Sequence, residues 1–301
     1  MNFLLKGQQS AVSMIQQAGF PVACIADVDM VMVELGRGSP VDMVVVDAND
    51  AGEGEIRAMR RVVGRLALID DLALRRVEAE VIINGAIYAE ELPYQPTPGM
   101  MLLLGQRYAL LREAFASEPM RTFPPAVRRI LITLGGSDTW NLTPRLVEWT
   151  RAECERMEVD VVIGPFYSNA AEIESARPAR LLPDPPDMRM LMLAADLAVT
   201  GGGQTTYELA ATATPALGIQ VGADQKRNLE ALDNAGVLLH LGKADDPDLE
   251  SRYRNGLRRL LQARGRRERM GRTGRALVDG RGAERVAEVI LECCGKETAR
   301  S

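Results

Sequence analysis

Asp196-Leu-Ala-Val-Thr-Gly-Gly-Gly-Gln-Thr-Thr-Tyr-Glu208 reads as a buried strand that runs into a glycine turn and then a helix. Leu197–Thr200 is apolar on both faces, as a strand covered by helices on both sides must be. The glycines at 201–203 let the backbone bend tightly and approach a ligand closely. The helix that opens at Thr205 and runs to about Thr212 starts with amides that have no partner inside it, and that end carries a partial positive charge. Such a turn suits a phosphate. Gln204 and Thr205 are placed to donate further hydrogen bonds. The plainer reading is a tight turn capped by threonine.

The same arrangement recurs outward from this stretch. The apolar run Ile130–Leu134 leads into Gly135-Gly-Ser-Asp138, and Pro215–Val221 leads into Ala223-Asp-Gln-Lys-Arg-Asn228. Val159–Ile163 is a further apolar run in this half. Val41–Val46, Leu66–Ile69, Val81–Ile83 and Met101–Leu104 are their counterparts in the first half. Stretches with helical spacing lie between many of them, so the alternation predicts an α/β protein with parallel sheets. Ligands of open α/β sheets gather outside the carboxyl ends of the strands, so two glycine turns at such ends strengthen each other. Gln225 and Asn228 lie three apart on one helix face, where they can meet a sugar or phosphate or simply begin a solvated helix.

The first half opens with Phe3-Leu4-Leu5 as a strand and a helix from Gln8 to Ala18. Acidic groups stand at two of its strand ends: Asp47-Ala-Asn49-Asp50 and Asp70-Asp71. Carboxylates there can orient water or a sugar hydroxyl, or act as a general base, and they can equally cap helices or form turns. The segment Glu118–Pro125 holds three prolines just before a fresh strand. It predicts a linker, with domains at 1–125 and 126–301.

A chain of 301 residues, 47% of them hydrophobic, has room for about two cores. Its net charge of −5 gives no general attraction to nucleic acid. The ten arginines between Arg252 and Arg275 read as a solvated or interdomain helix face. The cysteines, Cys24, Cys154, Cys293 and Cys294, form no CxxC and suggest neither a disulfide framework nor a zinc site. The single histidine, His240, lies in an apolar run and reads as structural. The start lacks the pattern of a signal peptide, and the run Met188 to Val199 is broken by Arg189 and Asp196. The expectation is a soluble, cytoplasmic protein that needs no metal or other cofactor, binds no nucleic acid and has no membrane span.

The ordered segments ITLGGSD, VVIGP, PDPPDMRMLMLAADLAVTGGGQTTYELAATATPAL, DQKRNLEAL and DGRGAERV, with IDDLALR and LLLGQRYALLREAF before them, resemble one family. It is the UDP-sugar hydrolases of pseudaminic acid biosynthesis, the PseG type. These are related to the MurG glycosyltransferases and have the GT-B architecture of two Rossmann-like parallel-sheet domains. The resemblance spans nearly the whole chain and implies a UDP-sugar as the small-molecule partner. It places Gly201, Gly202, Gly203, Gln204, Thr205 and Thr206 around the phosphates and Glu208 on the ribose hydroxyls. Gly164 and Met188 would lie near the uracil. Gly135, Gly136 and Ser137 would lie at the interdomain cleft, with Gln225 and Asn228 on the sugar or phosphate side. The implied reaction releases UDP from a 2,4-diacetamido-2,4,6-trideoxyhexose by attack of water, without a metal. The free sugar then supplies a nonulosonic acid for flagella or surface glycans.

Two departures matter. Family members begin with a strand and a glycine-rich loop carrying a Gly-His pair, whose histidine is the general base; this sequence shows no counterpart. Asn49 also stands where the family tends to have tyrosine. The expectation is an incomplete N-terminal domain whose open sheet edge is covered by a partner or a second copy. The catalytic residue stays open among Asp47, Asn49, Asp70 and Asp71. Two other readings remain: a glycosyltransferase acting on a surface glycan, and a non-catalytic nucleotide-sugar-binding homologue.

Overall fold

The structure is a computed structural model that describes residues 1–6, 9–37, 41–48, 50–116, 121–136, 138–164 and 179–295. The chain forms two compact units. The first is Met1–Asn84, Leu92–Leu104 and Val286–Ser301; the second is Gly85–Glu91 and Gly105–Arg285.

The first unit contains β1 (Phe3–Leu5), α1 (Gln9–Gln17), β2 (Val22–Cys24), α2 (Val28–Arg37), β3 (Val44–Asp47), α3 (Glu53–Val63), β4 (Leu66–Ile69), β5 (Val81–Asn84) and β6 (Met101–Leu104). β1 and β2 pair in parallel as a separate two-stranded sheet, and β3-β4-β5-β6 form a four-stranded parallel sheet. The first strand of the larger sheet starts three residues later than the apolar run at Val41 suggests, because its ladder begins where Val44 pairs with Leu66. Val46, Leu66, Leu68 and Ile82 pack with Val31, Ile56 and Met59 into one core. α3 is bounded by local chemistry: the Gly52 N–H donates to the Glu55 carboxylate (2.7 Å), and the left-handed Gly64 donates its N–H to Arg60 O (2.8 Å).

The second unit contains β7 (Arg129–Thr133), α4 (Thr143–Glu153), β8 (Glu158–Ile163), β9 (Arg180–Pro183), α5 (Met188–Ala194), β10 (Leu197–Thr200), α6 (Thr205–Ala211), β11 (Ala216–Gln220), α7 (Lys226–Asn234), β12 (Leu238–Lys243), α8 (Leu249–Gln262) and α9 (Arg264–Leu277). The last helix, α10 (Gly282–Cys293), begins in this unit and ends in the first. The sheet runs β12-β11-β10-β7-β8-β9, and every pair is parallel. Alternate residues face opposite sides. Ile130 and Ile132 join Leu146, Tyr253 and Leu257 in one core, while Leu131 joins Met192, Leu209 and Leu229 in the other. The strand order reverses between β7 and β10, so the chain leaves these neighbours in opposite directions and a crevice opens at their carboxyl ends.

The described part of the proline-rich segment, residues 121–125, is clamped by two arginines. Arg267 is 1% exposed, and its guanidinium donates to Pro124 O (2.7 Å), Pro125 O (3.0 Å), Leu260 O (2.5 Å) and Leu261 O (3.1 Å). Arg121 donates to Met192 O (3.1 Å), Thr214 Oγ1 (2.8 Å) and Ala195 O. The compact units therefore differ from a single cut at 125/126: residues 85–91 and 105–125 go with the second unit and 286–301 with the first. Replacing Arg267 by Met strips four carbonyls of a charged donor. It should destabilise the protein by roughly 2–4 kcal/mol in urea denaturation; a loss within about 0.5 kcal/mol would show that the clamp is incidental.

Candidate functional site

The crevice between the ends of β7 and β10 holds a cavity of ≈ 410 Å³. Leu134, Gly135, Gly136 and Thr139 line it from the β7 side. Thr200, Gly201, Gly203, Gln204 and Thr205 line it from β10 and the start of α6, and Val221, Gly222 and Gln225 from beyond β11. Both glycine turns singled out in the sequence thus meet in one place. Gly135 has φ +103°, a backbone state that side chains rarely tolerate.

The turn after β10 is held from behind. Gln225 Oε1 accepts from Gly202 N (2.9 Å) and Val221 N (3.1 Å). Asn228, 7% exposed, donates from Nδ2 to Gly202 O (2.8 Å) and Thr206 Oγ1 (3.1 Å), and its Oδ1 accepts from the Tyr207 hydroxyl (2.5 Å). A side chain on Gly202 would meet Gln225 Cβ and Leu229 Cγ at 2.7 Å, so only glycine fits there. Gly202 N–H is taken by Gln225 and Thr206 N–H by Gly203 O (3.0 Å). Among the described residues, the amides of Gly203, Gln204 and Thr205 have no internal acceptor, and all three residues line the cavity. The Gln204 side chain is committed to Leu110 O (3.1 Å).

Glu208 lies one turn into α6 and pairs with Arg112 at 3.2 Å. Burial raises its carboxyl above the ordinary 4.5, and the Arg112 guanidinium works against that rise. Gly164 packs on the β7 turn: a Cβ there would come within 2.5 Å of Gly135 O and Gly136 O. Met188 is the first residue of α5, whose start is capped by Asp187 accepting from Met190 N (3.0 Å), and it packs against the core rather than lining the cavity. Ser137 and Asn49 lie outside the described residues.

In the first unit, Asp47 ends β3 and Asp70 and Asp71 follow β4. Asp70 is 1% exposed and is used structurally: its carboxylate pairs with Arg75 (3.1 Å) and its carbonyl accepts from the Tyr94 hydroxyl. Asp71 is exposed, yet loss of water around its carboxylate, and then the charges of Asp47 and Asp70, raise its pKa against the pull of Arg75. A carboxylate biased toward holding its proton is suited to proton transfer.

Thr200, Thr139, Val221, Gly222 and Leu134 were not singled out by the sequence reading. Thr200 is the most telling: it is fully buried, and its hydroxyl has no hydrogen-bond partner among the described residues. A threonine closing an otherwise apolar strand just before three glycines is the signal that marks it.

Two Rossmann-like parallel-sheet domains, the N-terminal one smaller, with a crevice at the switch point of the second, make this a GT-B fold. The solved structures agree. MurG of Acinetobacter baumannii superposes with a TM-score of 0.63 at 16% identity, over 97% of this chain and 90% of its own. The spinosyn rhamnosyltransferase SpnG, complexed with thymidine diphosphate, superposes with 0.60 at 13% identity, over 95% and 91%. No family model matches the chain. By sequence it is similar to the uncharacterized protein MJ1062 of Methanocaldococcus jannaschii, 24% identical over 222 residues, 68% of this chain and 46% of that protein. It is also similar to the spore coat polysaccharide biosynthesis protein SpsG of Bacillus subtilis, 26% identical over 201 residues, 64% and 59% of the two chains. The chain thus spans about half the length of these curated relatives. Among the described residues no helix is long and apolar enough to cross a membrane.

Two outcomes follow from the site's chemistry. Thr200→Val removes a buried hydroxyl without a partner at nearly constant shape, so it should leave thermal stability unchanged or raise it by about 1 kcal/mol; a clear loss would mean the hydroxyl is satisfied. For Glu208, the folded state holds a proton that the unfolded chain releases, in the window just above 4.5. Stability from this group is therefore lost as pH rises through that window. The Glu208→Gln variant should gain stability relative to the parent as pH is raised from below 4.5 toward neutrality, measured by urea denaturation.

Proposed function

We propose that the second unit binds the diphosphate of a nucleoside-diphosphate sugar, and that the protein cleaves such a sugar with water. The reading rests on one observation: Gly203, Gln204 and Thr205, three consecutive residues whose amides have no internal acceptor among the described residues, line a cavity at the switch point. A diphosphate supplies the acceptors they lack. The charge that builds on the departing diphosphate would meet fixed donors there.

The motif order favours UDP as the nucleotide and a 2,4-diacetamido-2,4,6-trideoxyhexose as the sugar. In that reaction water adds to the sugar, the bond to the diphosphate breaks, and UDP leaves. Asp71, with Asp47 beside it, is the candidate for taking the proton of water. Glu208 is the candidate for the ribose hydroxyls, where it would exchange part of its contact with Arg112 for the ligand.

A second reading has its own support. MurG and SpnG share the fold, SpnG is named a rhamnosyltransferase, and SpsG is named for polysaccharide biosynthesis. On that reading an acceptor hydroxyl takes the place of water.

Incubation with the diacetamido UDP-sugar should release UDP in the absence of any acceptor; release only on addition of an acceptor would replace the hydrolase by a transferase. In calorimetry, Glu208→Ala should weaken UDP binding by about 1–3 kcal/mol, the scale of hydrogen bonds to a charged group. Unchanged affinity would remove Glu208 from the site.

A further inference from the structure

Trp140 is 48% exposed, whereas the other tryptophan, Trp149, is 4% exposed inside the core. The indole N–H of Trp140 donates to Val221 O (3.0 Å), and Val221 lines the cavity, as does Thr139 beside it. The loop that carries it is fixed. The Asp138 carboxylate accepts from Leu142 N (3.0 Å) and Thr143 N (2.7 Å), and Asp138 O accepts from Asn141 N (3.1 Å). Asn141 sits at φ +46°, in the left-handed region.

The route of this loop gives it a purpose. It leaves the sheet at the end of β7 and is pinned beyond the end of β11, while β10 lies between them. Between those two points lies the carboxyl end of β10, where the Gly201–Thr205 turn begins. The indole's one polar atom is satisfied by the cavity wall, and about half of the residue stays exposed. Among the described residues, none that lines the cavity is aromatic, and Trp140 stands beside it through its contact with Val221.

We infer that Trp140 is the stacking platform for the glycosyl ring of the bound nucleotide sugar and sets the preference for nucleotide sugar over bare nucleotide. The inference rests on the nucleotide-sugar reading of the cavity. Gly164 follows β8 and Val221 follows β11, three strand spacings apart in the sheet order, about 14 Å. If the base lies on the Gly164 side, the diphosphate bridges the middle and the sugar falls on the Trp140 side. The C–H face of a hexose is the chemistry that a half-exposed indole recognises.

The full chain, with Trp140→Phe and Trp140→Ala variants, is titrated by calorimetry with UDP and with UDP-N-acetylglucosamine. The parent should bind the nucleotide sugar more tightly than UDP. Trp140→Ala should weaken the nucleotide sugar by roughly three- to tenfold while leaving UDP within about twofold, and Trp140→Phe should keep most of the affinity. In a Trp149→Phe background, emission comes from Trp140 alone and should change with UDP-N-acetylglucosamine more than with UDP. Equal losses on both ligands would reduce Trp140 to a structural strut and overturn the assignment. So would a parent that gains nothing from the attached hexosamine, or a Trp140→Ala variant that keeps its sugar preference. A parent that binds neither ligand would overturn the nucleotide-sugar reading itself, and the platform with it.

Discussion

Asn228 sits behind the triple-glycine turn with its amide nitrogen on Gly202 O and Thr206 Oγ1 and its oxygen on the Tyr207 hydroxyl. Each of these groups is buried, so each costs about 1–3 kcal/mol if left unpaired. The turn keeps its shape because one side chain answers all of them. Gln225 does the same from the adjoining turn, with a single oxygen on two amides. Together they spend the inner polar groups of the turn on the scaffold. Among the described residues, the amides of Gly203, Gln204 and Thr205, which line the crevice, are the ones the scaffold leaves without an acceptor. The reversal of strand order between β7 and β10 supplies the space beside them.

The basic stretch near the C-terminus follows a different logic. Arg254 and Arg258 both reach Glu153, Arg252 pairs with Asp246, and Arg272 pairs with Glu268. The more exposed pairs, Arg252–Asp246 and Arg272–Glu268, contribute little each, whereas Arg254 and Arg258 converge on a Glu153 side chain that is only 8% exposed. Arg267 and Arg121 do something else. Buried and aimed at carbonyls, they bind residues 121–125 into the second unit, where three prolines alone would suggest a loose connection.

Much of this was legible from residue order. Leu66–Ile69, Met101–Leu104 and Leu197–Thr200 are strands at the bounds that their apolar runs give, because strands covered on both faces need continuous apolar sequence. The two glycine turns were legible as neighbours, since carboxyl ends of parallel strands share one edge. The roles behind the turn were not. Gln225 and Asn228 share a helix face in sequence, but only the packed structure shows that their polar atoms are consumed by the backbone of the turn. The division of the chain was also hidden: what assigns residues 121–125 is an arginine more than a hundred residues away. Periodicity carries no information about a contact of that length.

Thr200 runs against the rule that buried polar groups find partners, and the three residues at 203–205 beyond it, which are exposed or half-buried, have amides with no acceptor among the described residues. A fold can keep such groups only where the surroundings hold them in place regardless. Here the constraint comes from both sides. Parallel ladders fix Thr200 between β7 and β11, and Asn228 and Gln225 fix the turn that follows. A rigid frame that leaves donors unanswered is poor for stability and good for recognising an anion, because the donors need no rearrangement when it arrives. Elsewhere the second unit satisfies even awkward groups, such as the carbonyls after Phe123, so the deficit at the crevice stands out from its own background. That contrast within one unit, more than any single motif, makes the switch-point crevice the place to look for the ligand.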